Sequence, residues 1–247
     1  MRVLLLGGTA EARALAERLH PDVEVISSLA GRVPNPALPV GEVRIGGFGG
    51  AQPMRQWLAD NRVDAVVDAT HPFAAAMTDR AAQLCGELHL PHLVLARPPW
   101  DSSNFISVDS AAEAAEVIEH HRHSRVFLTS GRSTVSAFAH SSAWFLIRVV
   151  IAPHADALPM RHTLLLSRGP YRYDRELALM RDHRIHVLVT KNSGGEYTRA
   201  KLDAAAALYI PVVMVNRPPL PPGVTSVATV DEAVGWVAAV RTDSAAG

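Results

Sequence analysis

An α/β fold built from two Rossmann-like or flavodoxin-like parallel-sheet domains is predicted by three features of the sequence. Short continuous apolar runs, such as residues 3–6, 187–189 and 211–215, read as strands buried on both faces. The first two end in a turn of glycines or small hydroxylated residues that passes into helix-periodic sequence. The whole pattern begins afresh after Arg97-Pro98-Pro99-Trp100-Asp101, a proline-rich linker. These divide the chain into an amino-terminal lobe, 1–97, and a carboxyl-terminal lobe, 98–247. With glycine turns at the strand tips of both lobes, the ligand site is expected in the cleft between them.

The opening stretch sets the theme. The run 3–6 breaks at Gly7-Gly8-Thr9 and gives way to Ala12, Leu15, Ala16 and Leu19 at helical spacing. Glycines admit close backbone approach, and a helix start offers unpaired N–H groups, so an anion such as phosphate is the natural guest. The dinucleotide fingerprint G-x-G-x-x-G is absent. Residues 23–26 form the next strand, which ends at Ser27-Ser28-Leu29-Ala30-Gly31-Arg32. In a cofactor-binding α/β unit this tip meets the adenosine ribose, where a carboxylate selects NAD and hydroxyls with an Arg accept the 2′-phosphate of NADP. Here Ser28 and Arg32 stand with no carboxylate, so NADP is favoured.

Residues 33–40 carry three prolines and read as a loop before a short strand, 43–45. Gly46-Gly47-Phe48-Gly49-Gly50 follows, with more glycine than a turn needs, and points to a second close backbone approach through Gly47, Phe48 and Gly49. A helix then presents Met54, Trp57 and Leu58. The strand 65–67 runs into Asp68-Ala69-Thr70-His71-Pro72-Phe73-Ala74, where Pro72 suits the first turn of a helix and leaves Thr70 and His71 at the strand tip. His71 is a candidate proton donor, with a helix-start cap as its other reading. Residues 93–95 close this lobe.

In the second half, strands are expected at 105–108, 125–128, 144–150, 163–166, 187–189, 211–215 and 224–228. Helices are expected at 111–119, around Glu176 to Met180, at 198–208 and at 231–240, with fraying after Arg241. Thr129-Ser130-Gly131-Arg132 repeats the logic of the first turn. Thr190-Lys191-Asn192-Ser193-Gly194-Gly195 places a cation, small polar groups and paired glycines before a helix. It is not a P-loop, because its glycines and Lys are in the wrong order, yet it can cradle an anion.

Bulk properties narrow the class. The chain has 247 residues, 48% hydrophobic and 19% charged, with 24 basic and 24 acidic side chains. No net field recruits nucleic acid or an anionic membrane, so anion recognition must be local. Cys85 is the only cysteine, which excludes an intrachain disulfide and a thiolate metal cluster. No apolar run reaches membrane-spanning length and no leader precedes the first strand, so a cytoplasmic location is expected.

Taken together and in order, Gly7-Gly8-Thr9 with Glu11-Ala12-Arg13, Ser28-Leu29-Ala30-Gly31-Arg32, Gly46-Gly47-Phe48-Gly49, Asp68 to Ala74, Thr190 to Gly195 and Arg217-Pro218 resemble the precorrin-6A reductase family of cobalamin biosynthesis. The resemblance spans almost the whole chain. It departs at Ser130, where a threonine is common, and at Tyr171, where a phenylalanine is common. It implies an NADPH-dependent oxidoreductase acting on a CH–CH group, which reduces one ring double bond of precorrin-6A to give precorrin-6B. A related branch acts on the cobalt-containing macrocycle, and the motifs do not separate the two. The resemblance implies no metal site, and the balanced charge argues against nucleic acid and membrane partners; transient contact with neighbouring pathway enzymes is a further expectation.

On this reading Gly7, Gly8, Thr9, Ser28, Arg32, Gly47, Phe48, Gly49 and Thr70 contact the cofactor from the first lobe. Thr129, Ser130, Gly131, Lys191, Asn192, Ser193 and Gly194 contact it from the second. A flat macrocycle rich in carboxylates calls for cations at its rim, and Arg97, Arg132, Arg148, Arg168 and Arg172 are the candidates. Hydride addition needs a proton at the far end of the reduced bond; His71 has the right range, with Lys191 and Tyr171 as substitutes. Two other classes compete: a two-lobed binding protein, which would call for an export signal, and a two-domain nucleotide-binding transferase, which would oxidise nothing.

Overall fold

The structure, a computed structural model, describes residues 1–31 and 36–246, with side chains up to Thr242. It divides into two compact units, Met1–Pro98 with Pro218–Gly247, and Pro99–Arg217. No helix among the described residues is long and apolar enough to cross a membrane.

The first unit holds β1 (Arg2–Leu6), α1 (Ala10–Leu19), β2 (Glu24–Leu29), β3 (Glu42–Ile45), α2 (Ala51–Asp60), β4 (Ala65–Asp68), α3 (Ala75–Leu88) and β5 (His92–Leu95). The second holds β6 (Ile106–Val108), α4 (Ala111–His120), β7 (Arg125–Leu128), β8 (Trp144–Val149), β9 (His162–Leu166), α5 (Tyr173–Asp182), β10 (Val187–Lys191), α6 (Ala200–Ala207) and β11 (Val212–Val215). The chain then returns to the first unit with β12 (Thr225–Val227) and α7 (Val230–Ala246).

Both sheets are parallel throughout, ordered β12-β5-β4-β1-β2-β3 and β6-β11-β10-β7-β8-β9. The order reverses between β1 and β4 in one sheet and between β7 and β10 in the other. Connections leave those pairs to opposite sides, which opens a crevice at their carboxyl tips. Successive side chains of β1 explain its unbroken apolar run. Val3 and Leu5 join the core under α1 and α7, while Leu4 and Leu6 join the one under α2 and α3. In the second unit Phe127, Leu146, Leu188 and Met214 pack beneath Met180 of α5 and Leu202 of α6.

Three expectations are corrected here. The second lobe does not run to the end of the chain, because β12 pairs with β5 (Ser226 opposite Val94) and α7 buries Ala233 and Val237 beside α1. The first sheet thus takes its sixth strand, β12, from beyond the Pro218-Pro219 linker. The last helix continues past Arg241 to Ala246. Pro72 is not in the first turn of α3, which starts at Ala75. It occupies the second position of a turn closed by the Ala74 N–H on the His71 carbonyl at 2.7 Å, where the fixed φ of proline is equally suitable.

Candidate functional site

The tip of β1 is built for an anion. Gly8 has a φ of +115°, and a Cβ there would meet nothing within 4 Å. Thr9 caps α1 by accepting from the Ala12 N–H at 3.1 Å, and its hydroxyl donates to the Ala69 carbonyl at 2.7 Å, which ties this turn to the tip of β4. Gly7 donates its N–H to the Ser28 carbonyl at 2.9 Å. The N–H groups of Gly8, Thr9, Ala10 and Glu11 have no hydrogen-bond partner among the described residues. Open space before a run of free donors, at the positive end of a ten-residue helix, fits a phosphate group. The acid in that first turn, Glu11, is held at 2.8 Å by Arg97, so its charge does not oppose an incoming anion.

Next to it, the tip of β2 carries the buried Ser27 and Ser28. Arg32, expected to read a 2′-phosphate here, lies outside the described residues. A different arginine occupies the tip. Arg44, opposite Ser28 across the β2–β3 register, donates through Nη1 to Ser28 Oγ and to the Gly46 carbonyl, both at 2.9 Å. Its Nη2 donates to the Gly47 carbonyl at 3.3 Å, and its guanidinium lies over the Phe48 ring, 3.8 Å from the centroid. The sequence gives a hint of Arg44 only in its place two residues before the glycines, since strand pairing is what brings it to Ser28. The Phe48 side chain is a core residue, edge-on to Trp57, so only its backbone faces the glycine turn. Gly47 and Gly49 beside it are exposed.

At the tip of β4, Asp68 is 1% exposed and organises its surroundings. It accepts from the Thr70 N–H at 2.9 Å, the Thr70 hydroxyl at 2.7 Å and the Thr78 hydroxyl of α3 at 2.6 Å. Thr70 is half-buried there, and His71 is exposed. The Phe73 N–H donates to His71 Nδ1 at 3.2 Å, so the neutral ring carries its proton on Nε2. A hollow of about 480 Å³ lies at the opposite, amino end of β5 and β12, beside Cys85 and His92. Burial pushes the Cys85 thiol up to about 12 and lowers the basicity of His92, so neither group is charged near neutral pH.

In the second unit the tips of β7 and β10 stand side by side. Thr129 bonds the Val189 carbonyl with its N–H at 2.8 Å and its hydroxyl at 3.1 Å. Thr134 gives its proton to the Gly131 carbonyl at 2.8 Å, so Ser130 is the donor in the 2.7 Å bond between their hydroxyls. Gly131 has a φ of +91° with open space where a Cβ would stand. Lys191 ends β10 with its basicity lowered by burial, and the Ser193 N–H turns back to its carbonyl at 2.8 Å. Gly194 is buried, and Arg132, Arg168 and Arg172 are exposed.

Three expected contacts in this unit have other duties. Asn192, 5% exposed, accepts the Trp100 N–H at 2.8 Å and donates to the Trp100 carbonyl at 3.0 Å, which fixes the first linker to the loop. The Trp100 indole also donates to the Gly195 carbonyl at 3.0 Å, and Arg217 donates to the Asn192 and Ser193 carbonyls at 2.7 and 3.0 Å. Arg148 is not at a rim: it pairs with Glu176 at 2.6 Å, and both side chains are 4% exposed or less. Tyr171 lies with its ring 3.7 Å from that guanidinium, and its hydroxyl donates to the Ser167 carbonyl at 3.1 Å, which commits the proton it was expected to offer. Lys201, absent from the sequence reading, completes this buried group. Its ammonium donates to the Thr198 carbonyl at 2.7 Å over the Trp100 ring, and burial beside Arg148 pushes its pKa down to about 7. Among the described residues no cluster of three metal-ligating side chains occurs.

Comparison with known proteins accounts for nearly all of the chain. Residues 2–238 match the family described as "Precorrin-6x reductase CbiJ/CobK". The chain is 67% identical over 237 residues, 96% of its length and 97% of the relative's, to a protein of Mycobacterium tuberculosis named precorrin-6A reductase. A protein of the same name from Rhodococcus erythropolis is 53% identical over 242 residues, covering 96% and 97%. Among solved structures, one titled "CobK precorrin-6A reductase" superposes with a TM-score of 0.90 at 33% identity, covering 97% of each chain.

Proposed function

The chain belongs to the precorrin-6x reductase CbiJ/CobK family, and on that premise we propose that it reduces one ring double bond of precorrin-6A with NADPH, giving precorrin-6B in cobalamin biosynthesis. The observation that carries this reading is the near end-to-end identity with relatives of that name. The metal-free macrocycle is favoured over its cobalt form because the relatives at 67% and 53% identity are named for it.

NADPH, when bound, supplies a hydride; the chain's own residues hold, orient and protonate. The free N–H groups from Gly8 to Glu11 bind a phosphate of the cofactor, with α1 behind them. Gly47 and Gly49 let the backbone approach, and Ser28 and Thr70 offer hydroxyls; at the strand tips of the second unit, Gly131, Lys191, Ser193 and Gly194 are anion contacts in their own right. Thr9, Thr129 and Ser130 hold the turns in shape with their hydroxyls and reach the ligand through backbone alone. Arg132, Arg168 and Arg172 are exposed and suit carboxylates at the rim of the macrocycle. His71 gives the proton as the imidazolium, with the Phe73 N–H bond to Nδ1 released, to the atom at the far end of the reduced bond, and is left as the neutral ring.

Incubation of the protein with NADPH and precorrin-6A tests the reading. NADPH should be consumed one for one with precorrin-6A and only in its presence; NADPH left intact would favour a nucleotide-binding transferase. His71→Ala should lower turnover by about tenfold or more. A loss under about threefold would remove His71 from the proton step.

A further inference from the structure

The guanidinium of Arg44 is a cation without an acid. Burial lowers its basicity, yet no carboxylate pairs with it among the described residues and none contributes to its electrostatics. Its partners are one hydroxyl and two carbonyls, which together take both Nη1 hydrogens and one of Nη2. Nε and the second Nη2 hydrogen are left with no partner among the described residues. A half-buried positive charge of this kind is costly unless an anion comes to it from outside.

Its position identifies the anion. Arg44 is fixed flat on Phe48 and bonded to Ser28, at the strand tip where the adenosine ribose of a dinucleotide lies in this class of fold. That tip has Ser27 and Ser28 in place of the carboxylate that would bond a free 2′-hydroxyl. We propose that Arg44 is the residue that recognises the 2′-phosphate of NADPH, its planar fork held ready by Ser28, Phe48 and the carbonyls of Gly46 and Gly47. The inference rests on the cofactor reading given above and names its specificity determinant. Lysine would not substitute fully, because a point charge cannot hold the two glycine carbonyls and the phosphate together.

The test is a binding measurement on the whole protein, free of turnover. Titration calorimetry with 2′,5′-ADP and with 5′-ADP is carried out on the wild type, Arg44→Ala and Arg44→Gln, with NADPH as a control. Gln keeps the stem on Phe48 and an amide donor near Ser28 but lacks the charge, which covers the case that Ala disturbs the glycine loop. Both variants should bind 2′,5′-ADP about ten- to a hundredfold more weakly while 5′-ADP changes less than about twofold. Equal weakening of both ligands would mean that Arg44 only shapes the loop, and would overturn the inference. So would an unchanged preference for 2′,5′-ADP in both variants, with NADPH binding intact in the wild type. A wild type that binds neither NADPH nor 2′,5′-ADP would overturn the cofactor reading itself.

Discussion

Asn192 commits both ends of its amide to one neighbour, and the consequence can be measured. Asn192→Ala leaves the Trp100 N–H and carbonyl without partners in a buried place, at a cost of about 2–4 kcal/mol in urea unfolding. Asn192→Asp should fare no better, since its second oxygen would face the Trp100 carbonyl. Lys201 gives a prediction of opposite character. Its folded pKa, about 7, lies below the ordinary 10.5, so between those values the unfolded chain binds more protons. Stability contributed by this group therefore rises with pH across that window, by up to about 1.4 kcal/mol per pH unit. Lys201→Met should remove this slope, so its advantage over the wild type is greatest below pH 7 and shrinks towards 10.5. Parallel pH profiles of the two proteins would contradict it. Neither residue could be assigned from sequence: Asn192 sits in a loop that reads as a ligand cradle, and Lys201 reads as a solvated helix charge until packing buries it against Trp100.

At the level of elements, local signals account for most of what forms. Thr229 and Glu232 make a capping box at the start of α7, and at α4 the Ser110 hydroxyl accepts the Glu113 N–H while the Glu113 carboxylate accepts the Asp109 N–H. Thr229→Ala should cost about 1 kcal/mol, seen as an earlier unfolding midpoint at unchanged slope. Helix α7 also closes the core over α1, so Val237→Asp, which places a charge among Ala12, Leu15 and Ala233, should cost about 3 kcal/mol or more. A loss below about 1 kcal/mol would show that α7 is not integral to this sheet. The apolar runs, glycine turns and helix periods made nearly every strand and helix legible in the sequence. What they could not carry was partnership. A three-residue strand such as β12 has the same pattern whether it borders β5 or β11, and only long-range pairing decides. The same gap hid Arg44, whose meaning depends on β3 lying beside β2.

For the whole molecule, two parallel sheets each place glycine turns at the point where strand order reverses, and the two linkers are pinned by Trp100 and Arg217 to one loop of the second unit. The family and the reaction were legible from six motifs in order, because such a combination is far more specific than any one turn. The duties of single side chains within those motifs were not. Asn192 within them, and Arg148 and Tyr171 outside them, have residue types that suit a ligand, but burial and hydrogen bonding engage them elsewhere. The proposed reaction is a direct hydride transfer from NADPH to the macrocycle. It is tested by turnover of precorrin-6A with NADPH deuterated at C4 on one face, then on the other, with mass analysis of the product. One of the two labelled cofactors should place a single deuterium on precorrin-6B while the other places none. Product unlabelled from both cofactors would contradict the account.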